Sequence, residues 1–307
     1  MQHPPYLQPG DTIAITSTAR WTNPEALSRA IRQLQDWGFR VVLGAHLYRQ
    51  HQQFAGSDGE RLQEFQRLLD DPAIKAILFS RGGYGTTRII DQIDWTSFMT
   101  RPKWLCGFSD VTALLCQAYR LGVQSLHCTM AAGFDDKPGR AASIESIRQQ
   151  LLGQPLHMSA AAHPLNRTGR AAGPLLGGNL SLLATLVGTP TEPKYEGAIL
   201  FLEDLDEYRY HLDRMMVQLK RAGRLAQLKG LVVGQMSDMR DNPVPFGREA
   251  YEIIQEHVSD YAYPVAFGFP VGHEALNLAL PVGAPLAFEV FPTGASLQHN
   301  PQASTYV

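Results

Sequence analysis

Apolar positions in the first half of the chain alternate between two rhythms. After Gly10, the run Thr12-Ile13-Ala14-Ile15-Thr16 is short, apolar and β-branched, as a buried strand requires. Leu27, Ile31 and Leu34 then recur at i, i+4 and i+7 on one helical face, with Asn23 to cap it, Pro24 in its first turn and Gly38 to end it. Residues 39–43 read as strand again. Ser57-Asp58-Gly59-Glu60 is a capping box that opens a helix burying Leu62, Phe65, Leu68 and Leu69. Strands are expected over 74–80 and 103–108, the latter running into a helix that carries Val111, Leu114, Leu115 and Ala118. This alternation of strand and helix predicts an α/β fold with a mainly parallel sheet and helices on both faces.

From 135 to 173 the periodicity weakens and Ala, Gly, Gln, Pro and His dominate, apart from a helical patch around 144–152. A chain of 307 residues exceeds the usual size of one core, so this segment is expected to connect two domains, one over 1–150 and one over 170–307. The second half predicts a helix through Leu180, Leu183 and Leu186, a strand over 198–202, a helix over 206–222 and a strand over 231–235. Short strands broken by Pro and Gly follow around 265–269 and 286–291.

Charge and composition then exclude whole classes of function. A net charge of −2, with no run of Lys or Arg, lacks the footprint of a protein that binds nucleic acid or an anionic membrane. Met1-Gln2-His3-Pro4-Pro5 has neither the basic nor the apolar region of a secretory leader, and no apolar run approaches the ~20 residues that span a bilayer, so a cytoplasmic location is expected. Cys106, Cys116 and Cys128 match neither a disulfide framework nor a CxxC site and are expected to pack as small apolar residues. The chain has no HExxH motif, GxGxxG fingerprint or GxxxxGK[ST] loop, so no metal or nucleotide cofactor is expected.

The most informative stretch is Gly107-Phe108-Ser109-Asp110, where a buried strand meets a helix. A hydroxyl there is presented at the carboxyl end of a parallel sheet, where open α/β folds place their ligands, beside helix-start amides that favour negative charge. Ser109 also fits a plain helix cap, and the GxSxG elbow is not matched. Arg81-Gly82-Gly83-Tyr84-Gly85 follows another strand. Its glycines let backbone amides approach a ligand closely, although a tight strand-to-helix turn uses the same residues. Glu203 ends the apolar strand of the second half and His273 lies in a later loop. Each taken alone also suits a surface role.

Together these positions resemble the LD-carboxypeptidase family of serine peptidases, which includes self-immunity hydrolases that inactivate peptide-nucleotide antibiotics. The resemblance rests on Gly10-Asp11, Arg81-Gly82-Gly83-Tyr84-Gly85, Gly107-Phe108-Ser109-Asp110, Gly177-Gly178-Asn179-Leu180, Leu202-Glu203-Asp204, and Gly272-His273 followed by Leu280-Pro281-Val282-Gly283. It implies a flavodoxin-like N-terminal domain, a smaller C-terminal α/β domain, an active site at their interface and a homodimer. It also implies Ser109 as nucleophile, His273 as general base and then acid, and Glu203 as the carboxylate that orients the imidazole. The oxyanion donors would be amides of Asp110 and the Gly82-Gly83 turn. The family often has His-Gly-Pro-Met where this chain has His127-Cys128-Thr129-Met130, which bears on local loop shape.

The substrate so implied is a murein tetrapeptide with a C-terminal D-amino acid, cut during peptidoglycan recycling. An exopeptidase must hold the free carboxylate, a task suited to a guanidinium, with Arg81 the first candidate and Arg209 and Arg240 next. Two other functions fit the same sequence. An immunity-type hydrolase would need an aromatic shelf for a base, for which Tyr208, Tyr210 and Trp95 are available. A non-catalytic, two-lobed small-molecule binding protein would have no need for Ser109, Glu203 and His273 to act together.

Overall fold

The computed structural model describes residues 1–300. The chain divides into two compact units, Met1–Gln154 with Asn277–Pro281, and a slightly smaller one that begins at Pro155. The changeover falls inside the expected connecting segment. That segment is not a bare linker, because it carries a full helix of the first unit and a strand of the second.

In the first unit β1 (Thr12–Thr16), α1 (Pro24–Asp36), β2 (Arg40–Leu43), α2 (Asp58–Asp70) and β3 (Ile74–Phe79) follow the predicted alternation. Then come α3 (Thr96–Thr100), β4 (Trp104–Gly107), α4 (Thr112–Arg120), β5 (Ser125–His127) and α5 (Arg140–Leu151). Strands β1 to β5 lie in the spatial order 2-1-3-4-5 with every pairing parallel, the flavodoxin-like arrangement. Strand order reverses between β1 and β3. The carboxyl ends of those two strands therefore open onto the crevice where such sheets bind ligands.

Leu27, Ala30 and Leu34 of α1, with Ile147 and Leu151 of α5, pack on one face of this sheet against Ile13, Ile15, Leu78 and Cys106. Cys106, Cys116 and Cys128 are free and buried. The Ser57 capping box is present in both directions. The buried face of α2, however, differs from the apolar pattern: Leu62 is half-buried, while Arg61 and Glu64 are 1 % and 4 % exposed. The cause is the polar backbone leaving the sheet. Arg61 donates to the carbonyls of Thr18 and Gly85, and Glu64 accepts from the Thr16 hydroxyl (2.6 Å) and the His46 amide, so the chain leaving β1, β2 and β3 is satisfied from inside.

The second unit contains β6 (His157–Ala161), β7 (Gly169–Asn179), α6 (Leu180–Leu186), β8 (Ile199–Leu205), α7 (Arg209–Arg221), β9 (Gly230–Ser237), α8 (Ala250–His257) and β10 (Val265–Phe267). The chain then returns to the first unit's sheet as β11 (Leu280–Val282), beside β5, before β12 (Pro285–Phe291) and β13 (Gly294–His299) complete the second. β7 joins two kinds of pairing. Gly169–Pro174 runs antiparallel to β12, while Leu175–Asn179 runs parallel to β8, which continues in parallel to β9 and β10. Among the described residues no helix is long and apolar enough to cross a membrane.

Candidate active site

Ser109 stands between β4 and α4 with φ +60, in the left-handed region that costs a non-glycine residue about 1–2 kcal/mol. Phe108 before it is extended, and a short 3₁₀ turn, Ser109–Val111, leads into α4. The chain enters this bend tightly. A β-carbon on Gly107 would lie 3.0 Å from Val111 and 3.2 Å from Phe79. The GxSxG sequence is missing, yet the strand, the sharp left-handed turn at serine and the helix are those of a nucleophile elbow. A serine acting only as a helix cap has extended backbone; Ser109 does not.

The glycine turn after β3 lies directly against this serine. A β-carbon on the buried Gly82 would sit 3.0 Å from Ser109 Oγ and 3.3 Å from Met130 Cε, so only glycine leaves room for an atom bonded to that oxygen. No hydrogen bond among the described residues takes up the N–H of Gly82 or Gly83. Asp110, 1 % exposed, braces the same turn by accepting from the Thr86 N–H at 2.9 Å. Burial raises the pKa of its carboxyl, against the lowering effect of the Thr86 and Gly85 hydrogen bonds. Arg61 holds the Gly85 carbonyl at 2.9 Å, and the Thr18 and Thr86 hydroxyls meet at 2.8 Å. Gly82→Ala keeps the amide but sets a methyl 3.0 Å from Ser109 Oγ, and is expected to lower kcat/KM by about a hundredfold or more by misplacing the bound carbonyl, as steady-state kinetics would show.

In the second unit the register of β8 shifts between Leu202 and Asp204, an irregularity that re-aims side chains at the carboxyl end of the strand. Glu203 is fully buried there and accepts from His273 Nδ1 at 2.7 Å. With that proton donated to the carboxylate, the basic lone pair of the imidazole lies on Nε2. Two features aim the ring. A β-carbon on Gly272 (φ +137) would lie 3.0 Å from Gln235 and 3.3 Å from Glu203 Cβ, and Gln235 grips the loop on both sides, donating to the Leu276 carbonyl (2.9 Å) and accepting from the Glu274 N–H (3.0 Å). Asp204 points into the α6 cap, accepting from Asn179 (2.8 Å) and Ser181 N–H (2.9 Å); burial and then the Glu203 charge push its pKa up to about 7.

Burial of His273 disfavours its cation, but the hydrogen bond and charge of Glu203, with Asp204 and Glu274 behind it, outweigh this and raise its pKa above the ordinary 6.5. A general base must be neutral. The acid limb of kcat/KM is therefore expected above pH 6.5, and Glu203→Gln, by removing the charge that holds the proton, should move it to lower pH while lowering the plateau. A pH–rate profile of both proteins checks this.

Arg81 is exposed. Arg209 pairs with Asp241 (3.0 Å) and Glu249 (2.5 Å), and Arg240 with Asp206, so both are committed to structural ion pairs. Trp95 is buried against Phe65 and Phe98 and is unavailable as an aromatic shelf, whereas Tyr208 and Tyr210 stay partly exposed with ring centroids 5.7 Å apart. Among the described residues no group of three or more His, Cys, Asp or Glu could hold a metal ion. Sequence reasoning missed Gln235 and the part played by Asp110's side chain. Gln235 lies in no motif, and the Asp110 carboxylate meets an amide 24 residues away, which the motif around Ser109 does not show.

A model of the LD-carboxypeptidase N-terminal domain matches residues 13–128, and one of the LD-carboxypeptidase C-terminal domain matches residues 172–288. A probable murein peptide carboxypeptidase of Bacillus subtilis is 35 % identical, covering 92 % of this chain and 90 % of its own. The murein tetrapeptide carboxypeptidase of Pseudomonas aeruginosa is 31 % identical, covering 90 % of this chain and 92 % of its own. The crystal structure of a muramoyltetrapeptide carboxypeptidase from Oxalobacter formigenes superposes with a TM-score of 0.86 at 28 % identity, over 94 % of this chain and 98 % of that one.

Proposed function

The chain belongs to the LD-carboxypeptidase family and is a serine-type hydrolase, and from that premise we propose that it removes the terminal D-amino acid from murein tetrapeptides. The observation that carries this is the left-handed Ser109 with the bare Gly82 against its hydroxyl. A serine Oγ so presented can reach a carbonyl carbon, and the glycine amides beside it can receive the oxygen on which charge develops.

In this reading His273 Nε2 takes the Ser109 proton as Oγ attacks the carbonyl of the penultimate, L-configured centre. Glu203 holds the imidazole and steadies its cation. The amides of Gly82, Gly83 and Asp110 stabilise the oxyanion. The imidazolium then protonates the departing D-amino acid, and water, deprotonated by the same imidazole, frees the shortened peptide and restores Ser109. Arg81 is the anchor for the terminal carboxylate. In its finer form, the enzyme recycles cell-wall peptides in the cytoplasm as a homodimer.

The test is an assay against murein peptides that differ only at the C-terminus, with products weighed. Loss of one residue from the tetrapeptide ending in D-alanine supports the proposal. Failure to cleave that peptide while another amide is hydrolysed would move the enzyme to a different substrate.

A further inference from the structure

We propose that Arg20 is a specificity residue that pairs with a carboxylate of the bound peptide, an inference that rests on the Ser109 reaction proposed above. Arg20 lies just beyond β1, and the glycine turn just beyond β3, on the two sides of the point where strand order reverses. The contact between them is close. A β-carbon on Gly83 would lie 2.5 Å from Arg20 Cδ, 2.7 Å from Cγ and 3.1 Å from Nε, so the arginine's stem lies across the bare Gly83 backbone. Gly83 follows Gly82, which abuts Ser109 Oγ. One continuous surface thus runs from the nucleophile through two side-chain-free residues to a guanidinium.

The base of Arg20 is fixed while its charge stays available. Its backbone bridges Phe54, its carbonyl accepts from Ser17 Oγ at 2.8 Å, and the neighbouring Ala19 carbonyl accepts from Ala55 N–H at 3.0 Å. The residue is nevertheless exposed and makes no ion pair among the described residues. By contrast, Arg61 and Arg88, which brace the same loops, both bind Asp58. A guanidinium with a fixed root, spread over a ligand crevice and unspent on protein carboxylates, matches a planar anion through two parallel N–H donors. A murein peptide offers such an anion at its terminus and on its acidic side chains. The shared chemistry is a carboxylate.

Both sources can be told apart with three versions of one peptide: free acid, C-terminal amide, and side-chain amide. Arg20→Ala is expected to lower kcat/KM on the free acid by tenfold to a hundredfold, mainly through KM, the scale of a lost charge-assisted pair, with Arg20→Lys recovering part. The losses from Arg20→Ala and from amidating the paired carboxylate should not multiply, and the amide that shows this coupling identifies the source. The inference falls if Arg20→Ala stays within twofold of wild type on the free acid, or if its loss multiplies in full with both amidations. Either result leaves the Ser109 reaction standing so long as Ser109→Ala remains inactive on the same peptides. If wild type cleaves none of them, the reaction proposed above fails. Titration calorimetry of the free acid with wild type and Arg20→Ala then decides the inference: equal affinities, or no binding by wild type, overturn it, and tenfold weaker binding by the variant supports it.

Discussion

Ser109→Ala is expected to lose at least about ten-thousandfold in kcat on its peptide substrate while keeping its fold, because in the proposed reaction the hydroxyl it removes forms the covalent intermediate. His273→Ala should lose a similar factor. The informative protein is the double variant. If Ser109 and His273 act as one unit, removing the second after the first costs almost nothing, so the double variant should turn over at the rate of the slower single. Losses that multiply would mean that the two residues serve separate steps or sites. Circular dichroism and thermal unfolding of each variant separate lost chemistry from lost structure. Relief of left-handed strain is not expected to help Ser109→Ala, since alanine occupies that region no more easily.

The second large effect concerns the end of the substrate. A peptide with a free C-terminal D-residue is expected to be cleaved roughly a hundredfold faster, in kcat/KM, than its C-terminal amide or its L-terminated isomer. Amidation removes the charge and replaces one of the two acceptor oxygens that a guanidinium fork requires with an N–H donor. Inversion of the terminal centre exchanges the directions of side chain and carboxylate, so a peptide anchored by its carboxylate presents its carbonyl about 1 Å out of line with Ser109. Comparing the three peptides with wild type and Arg81→Ala checks both statements. Arg81 is exposed, so water replaces part of what it loses, and its truncation is expected to cost nearer tenfold.

Much of this was legible in the sequence because it is locally encoded. The 3.6-residue spacing of Leu27, Ile31 and Leu34, the Ser57–Glu60 capping box and the short β-branched runs are decided within one turn or one strand, and they appear as α1, α2 and the parallel strands. The candidate site residues came from the resemblance of whole motifs, not from any one of them, since Ser109 also fitted a helix cap. What was not legible is non-local. Arg61 and Glu64 look like solvent-facing positions of an amphipathic helix until loops from elsewhere in the chain supply the carbonyls, hydroxyl and amide that they bind. Gln235 sits in an apolar strand, and only the loop folded over β9 gives its amide a purpose. The first half of β7 was hidden because its Gly, Ala and Arg lack the alternation of a half-buried strand; its partner β12 supplies the apolar side chains Leu286 and Phe288.

The central claim is that the enzyme cuts one bond, between an L-centre and a terminal D-residue, and needs Ser109 to do it. The most direct measurement is chiral analysis of the amino acid released from a murein tetrapeptide ending in D-alanine, together with the mass of the peptide left behind. The account predicts one D-alanine for each tripeptide formed by wild type and none above background with Ser109→Ala. Cleavage at any other bond, or equal D-alanine release by Ser109→Ala, would contradict it.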